Sequence, residues 1–177
     1  MIQILLADDH VVLRAGLKAL LATQPDLRVV GEAGDGAEAL RLAEVLQPDV
    51  LLLDVTMPGN EQLAALRAVR ARLPAVRVLL LTMHEDETLL REALRLGASG
   101  YVVKKAAESE LLTAIRAVAR RETYIDPILA KVIIEHYVAQ DANAKRSRAP
   151  TEGLSPRETD VLKLVAEGYT NKEVASK

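Results

Sequence analysis

Val50-Leu51-Leu52-Leu53-Asp54 is an unbroken apolar run closed by an acid. A strand with one wet face alternates apolar and polar residues. A run without alternation needs cover on both faces, which a parallel sheet between two helix layers supplies. Working outward, similar runs recur at 2–7, 28–33, 76–82 and 100–103. Stretches with helical spacing separate them, at about 12–23, 37–46, 62–73, 87–96 and 108–120. Asp35 followed by Glu38 forms a capping-box pattern at the start of the second helix. Pro25, Pro48 and Pro74 each follow a helical stretch, where a ring without an N–H stops it. Five strand–helix repeats predict a doubly wound α/β domain with a five-stranded parallel sheet over residues 1–122.

Residues 123–153 read as a linker. A helix is expected at 127–140, with Ile128, Val132, Ile133, Ile134 and Tyr137 on its apolar side. The polar stretch 141–153 follows and carries Lys145, Arg146 and Arg148. It reads first as a solvated tether and second as an arm that contacts phosphates. Residues 154–177 return to helix. Ser155-Pro156-Arg157-Glu158 places an N-cap hydroxyl, a Pro at the first helical position and a Glu at the third. Val161, Leu162, Leu164 and Val165 face inward, and Gly168 ends the helix. Thr170-Asn171-Lys172-Glu173 opens a second capped helix. Two short helices joined through a Gly fit the first part of a helix-turn-helix, an incomplete all-α segment.

Composition excludes several function classes. The 177 residues are half hydrophobic, enough for a substantial core, and the net charge of −2 does not mark the whole chain as a polyanion binder. With no Cys, disulfides and thiolate metal sites are excluded. The three His stand far apart, which argues against a zinc site. Phe and Trp are absent, so base-stacking platforms and flavin sandwiches lack their aromatic surfaces. The first apolar run reaches two acids too soon for a signal peptide, and no run approaches the roughly 20 residues of a membrane span. A cytoplasmic protein that does not enter a membrane is expected.

The chemistry-bearing residues stand at the ends of the strand-like runs. Asp8 and Asp9 follow the first, Asp54 ends the third, Thr82 ends the fourth, and Lys104 follows the fifth. Parallel strands share one carboxyl edge, where ligands bind, so residues distant in sequence should meet there. Three carboxylates together are costly unless a cation joins them. Oxygen donors of this kind suit Mg2+, which commonly bridges protein carboxylates and phosphate. A Lys can pair with an added phosphoryl charge, and a Thr hydroxyl can hydrogen-bond its oxygen. Asp54 is then the nucleophile for phosphoryl transfer, forming an acyl phosphate.

Leu6-Ala7-Asp8-Asp9-His10, Leu53-Asp54-Val55-Thr56-Met57-Pro58-Gly59, Leu81-Thr82-Met83-His84 and Gly97-Ala98-Ser99-Gly100-Tyr101-Val102-Val103-Lys104 resemble the signatures of a receiver domain. Leu154-Ser155-Pro156-Arg157-Glu158, Gly168 and Asn171-Lys172-Glu173-Val174-Ala175 resemble a LuxR-type helix-turn-helix. Together these motifs resemble the NarL/FixJ family of two-component response regulators. The resemblance implies a flavodoxin-like receiver with Asp54 as phosphoacceptor. It also implies Mg2+ held by Asp9 directly, by Asp8 mainly through water, by Asp54, and by the backbone carbonyl of Thr56. Lys104 would pair with the phosphoryl group, and Thr82 and Tyr101 would form the switch pair, Tyr101 turning inward behind Thr82. A sensor histidine kinase would be the phosphodonor, and DNA the target where the helix-turn-helix is complete. The LuxR-type resemblance places a recognition helix beyond the two at 154–177, so the segment lacks it and the chain as it stands is not expected to read base edges. Phosphorylation would favour a homodimer. Thr56 and His84 stand where the family tunes dephosphorylation.

Two positions depart from the family pattern: Gln62 replaces a Gly in the loop after Asp54, and Lys105 replaces a frequent Asp. Lys105 either adds a second positive charge near the site or points to water. A competing reading is an interaction protein that titrates a kinase without binding DNA. A phosphatase with an Asp nucleophile is weaker, because Thr56 fills the position of its general acid. A nucleotide or flavin carrier is weaker still, with no Gly-rich loop after the first run. The chain is therefore not expected to be an enzyme.

Overall fold

The computed structural model describes residues 1–60, 63–83, 86–105, 108–127 and 129–130. The strands are β1 (Ile2–Ala7), β2 (Leu27–Ala33), β3 (Val50–Asp54), β4 (Arg77–Thr82), β5 (Gly100–Val103) and β6 (Tyr124–Ile125). Helices α1 (Val11–Ala22), α2 (Gly36–Leu46), α3 (Ala64–Arg72), α4 (Glu87–Arg95) and α5 (Glu108–Ala119) alternate with them. All described pairings are parallel, in the order β2-β1-β3-β4-β5-β6. The chain runs from β1 outward to β2, then crosses back to β3, so the order reverses between β1 and β3. In doubly wound sheets ligands bind outside the carboxyl ends of the strands at that switch point.

The unbroken apolar runs are explained by packing on both faces. Ile4, Leu6, Leu52 and Val102 face Leu21 of α1 and Ile115 of α5. Their chain neighbours Leu5, Leu51, Leu53 and Tyr101 face Ala39 of α2, Leu66 of α3 and Leu90 of α4. Every residue of β3 is buried. Each Leu removed from water in this way stabilises the fold by roughly 2 kcal/mol. The cap at α2 forms as its sequence suggests: the Asp35 carboxylate accepts the N–H of Glu38 at 2.8 Å. The reciprocal bond lands one residue earlier than in the standard box, with Glu38 accepting from the N–H of Gly34 at 2.9 Å.

The expected five-stranded sheet has a sixth strand. Tyr124 and Ile125 lie beside Gly100 and Tyr101. The Asp126 N–H then donates to the Tyr101 carbonyl at 3.0 Å, and the Asp126 carboxylate accepts the Val103 N–H at 3.2 Å. A two-residue strand is too short to show a periodicity, which is why the sequence pattern does not reveal it. Pro127, Leu129 and Ala130 are helical, and Leu129 is fully buried in the core on the α2–α4 side. The compact unit runs from Met1 to Ile133. The rest of the expected linker helix (Ile128, Val132, Ile133, Ile134, Tyr137), the basic tether (Lys145, Arg146, Arg148), the helix-turn-helix segment 154–177, and the positions Gln62 and His84 lie outside the described residues.

Candidate phosphoryl-acceptor site

Three strand ends bring the site together. Beyond β1 the Asp8 N–H still donates to Ala33 of β2, at 3.1 Å, and the Asp8 carboxylate accepts the N–H of His10 at 2.8 Å. Arg14 of α1 donates its guanidinium to the Asp8 carbonyl. Asp8 is thus fixed from both sides, with its side chain only 2% exposed. Asp54 is fully buried at the end of β3, and Val55 continues the ladder to the Leu81 carbonyl at 2.9 Å. Beyond β5 the Lys104 N–H donates to the Thr82 carbonyl at 2.7 Å, which aims its side chain along the carboxyl edge.

The Lys104 ammonium reaches Asp8 Oδ2 at 2.7 Å and Asp54 Oδ2 at 2.9 Å, with 2% of its side chain exposed. One buried cation therefore serves two buried anions. Asp9, a third of its side chain exposed, adds another carboxylate, and His10 Nδ1 lies 2.9 Å from Asp9 Oδ1 and 3.3 Å from Asp8 Oδ1. Ligand atoms of Asp8, Asp9, His10 and Asp54 all lie within 4.8 Å of one another. Three carboxylates against one ammonium leave an excess of negative charge in a poorly solvated place, which is costly without a further cation. The oxygen-rich donor set fits a hard divalent ion such as Mg2+.

Thr56 is placed by the same carboxylate. Its N–H donates to Asp54 Oδ1 at 3.1 Å, and its hydroxyl stands 3.1 and 3.2 Å from the two Asp54 oxygens. Thr82 is fully buried one residue beyond Leu81, the register partner of Asp54. Tyr101 lies inward and fully buried. Burial pushes its hydroxyl up to about 12, against a smaller opposite pull from hydrogen bonding with Thr82. The phenol therefore stays neutral at any physiological pH. Lys105 is exposed to solvent, which favours the second of its two readings.

The family model for the response regulator receiver domain matches residues 4–116. The model for bacterial regulatory proteins of the luxR family matches residues 152–177. The chain belongs to the NarL/FixJ (LuxR-type) family of response regulators. It is 42% identical over 179 residues to the oxygen regulatory protein NreC of Staphylococcus carnosus (strain TM300), covering 99% of this chain and 82% of that protein. A LuxR-family two-component response regulator from Aurantimonas sp. SI85-9A1 has a similar structure, with a TM-score of 0.73 and 37% identity, over 78% of this chain and 99% of that one. The response regulator RcsB in a complex with DNA matches 99% of this chain and 81% of its own, with a TM-score of 0.69 and 25% identity. No described helix is long and apolar enough to cross a membrane.

Within this receiver, sequence reasoning left three groups without a role. His10 stands in the quoted motif, but its contact with both acids is visible only in space. Arg14 has helical spacing and nothing that marks it as a clamp on Asp8. Asn60 looks like an ordinary loop residue and is in fact 1% exposed.

Proposed function

We propose that Asp54 accepts a phosphoryl group and thereby controls the regulatory output of this chain. The observation that carries this is the buried Lys104 ammonium shared by Asp8 and Asp54 at the switch point of the sheet. An Asp54 carboxylate oxygen attacks the phosphorus of a phosphohistidine on a sensor histidine kinase. The P–N bond breaks, the imidazole leaves and takes a proton from solvent, and an acyl phosphate remains. Asp9 directly, Asp8 mainly through water, Asp54 and the Thr56 carbonyl would hold Mg2+. Bound there, Mg2+ neutralises charge on the phosphoryl oxygens. Lys104 then exchanges part of its pairing with Asp54 for a phosphoryl oxygen. The Thr82 hydroxyl turns to the same group, and Tyr101 packs behind it, which biases the face formed by α4, β5 and α5.

Control of transcription through the LuxR-type segment, with DNA as partner and a homodimer as the phosphorylated form, is the output this reading assigns in the cytoplasm. The match to the luxR family model and the likeness to RcsB in its DNA complex support it. Incubation with a radiolabelled small-molecule phosphodonor tests the input. Wild type should take up label only with Mg2+ present, and Asp54→Ala should take up none. Equal labelling of both proteins would overturn the assignment.

A further inference from the structure

The loop that leaves Asp54 is held by one buried side chain that none of the roles above uses. Asn60 Nδ2 donates to the Asp54 carbonyl at 3.0 Å and to the Val55 carbonyl at 3.3 Å. Its Oδ1 accepts the N–H of Ala65, in the first turn of α3, at 3.1 Å. Its own N–H donates to Met57 at 3.1 Å, and its carbonyl accepts from Leu63 at 2.9 Å. Every polar group of Asn60 is thus engaged, and the side chain ties the end of β3 to the start of α3.

The location of these bonds matters more than their number. The Val55 carbonyl and the Thr56 N–H belong to one planar peptide unit. Asn60 holds that plane by its oxygen, while Asp54 Oδ1 holds it by its N–H. The next carbonyl along the chain is that of Thr56. Turning the Val55–Thr56 plane moves the N–H that orients Asp54 directly, and it changes φ of Thr56, so the Thr56 carbonyl keeps its place relative to Asp54 only while that plane is held.

We infer that Asn60 is a positioning residue for the divalent-ion site, fixing the Val55–Thr56 peptide so that the Asp54 carboxylate and the Thr56 carbonyl converge on one ion. This rests on the metal-site reading above. Removing a group that orients a metal ligand typically weakens metal affinity about 10- to 100-fold. Asn60 does not touch the ion, so the low end of that range is expected.

Calorimetric titration of the whole chain with Mg2+ tests this, using wild type, Asn60→Ala, Asn60→Ser, Asp9→Ala and Leu66→Ala. Leu66 is fully buried on the same helix, α3, and far from any role in ligation, so its variant reports general loosening of the fold. The titrations are run at a temperature where circular dichroism shows each variant folded, and Asn60→Ser is read if Asn60→Ala does not fold. The expected result is a Kd for Mg2+ raised about tenfold in the Asn60 variants and unchanged in Leu66→Ala. Phosphorylation at saturating Mg2+ should recover more completely than at low Mg2+. An Asn60 variant that binds like wild type, or a Leu66→Ala shift of equal size, would overturn the inference alone. A wild-type titration that Asp9→Ala leaves unchanged would overturn the site reading, and this inference with it.

Discussion

Two ion-pair clusters lie at opposite edges of the same sheet. At the amino edge, Arg116 of α5 makes a two-pronged pair with Asp26, Nε to Oδ2 and Nη2 to Oδ1, both at 2.8 Å. Each carboxylate oxygen has its own N–H, and the side chains are 33% and 45% exposed. At the carboxyl edge, Lys104 divides one ammonium between Asp8 and Asp54, with all three side chains at most 2% exposed. The first pair is balanced and wet. It ties α5 to the loop before β2 and holds Asp26 below the ordinary carboxylate range. The second is unbalanced and dry. A fold maximising stability alone would have no reason to bury two anions on one cation. The imbalance has a function if a divalent ion and a phosphoryl group are the missing parts of the set.

The comparison breaks most easily at Lys104. Lys104→Met leaves two buried carboxylates without their cation, and removal of one partner from such a group costs about 3–5 kcal/mol. Urea unfolding in chelator should show that loss, and Mg2+ should restore more stability to the variant than it adds to wild type. A variant as stable as wild type without metal would show that the cluster is not strained. Asp54→Asn works in the other direction. With one anion fewer on the shared ammonium, the metal-free protein should gain on the order of 1 kcal/mol, the usual scale of a single substitution, and its stability should respond less to Mg2+. A loss of stability would mean that Asp54 is held chiefly as a structural partner.

A smaller effect belongs to Tyr101. Its hydroxyl is pushed up to about 12 by burial. The stability tied to the neutral phenol is fully present below the ordinary tyrosine range and is lost as pH rises from that range toward 12. Absorbance titration should show a tyrosine near 12 that Tyr101→Phe removes, beside Tyr124, which burial also raises. If all tyrosines titrate in the ordinary range, Tyr101 is not held inward. The smallest effect is expected for Arg116→Ala, since exposed pairs contribute little and are screened by salt. Because the native Asp26 carboxyl is lowered, the difference from wild type should be present at neutral pH. It should vanish as pH falls below the ordinary carboxylate range through the native titration. A difference that persists in acid would mean that Arg116 acts through packing instead.

Much of this contrast was legible in the residues. Leu5 and Leu6 facing opposite helix layers is what an unbroken apolar run demands, and the ends of such runs put Asp8, Asp54 and Lys104 on one edge. Features that depend on close approach rather than pattern were not legible. The strand β6 is two residues long and is held by Asp126, whose neighbours in sequence say nothing of Val103. Helix α3 runs from Ala64, after Leu63 adopts φ +59°, while Gln62, where the sequence pattern begins it, lies outside the described residues. A bulky residue there is strained, and its side chain is buried in the core. Asn60 was hidden for the same reason: its partners are backbone groups, which no side-chain pattern reveals.

The most direct test is to locate the phosphoryl group. Wild type is phosphorylated with a small phosphodonor and Mg2+, the acyl phosphate is trapped by borohydride reduction, and the digested chain is sequenced by mass spectrometry. Reduction is expected at residue 54 alone, with none in protein left unphosphorylated. Reduction at Asp8 or Asp9, or a phosphoryl group found on His10, would contradict the assignment of Asp54.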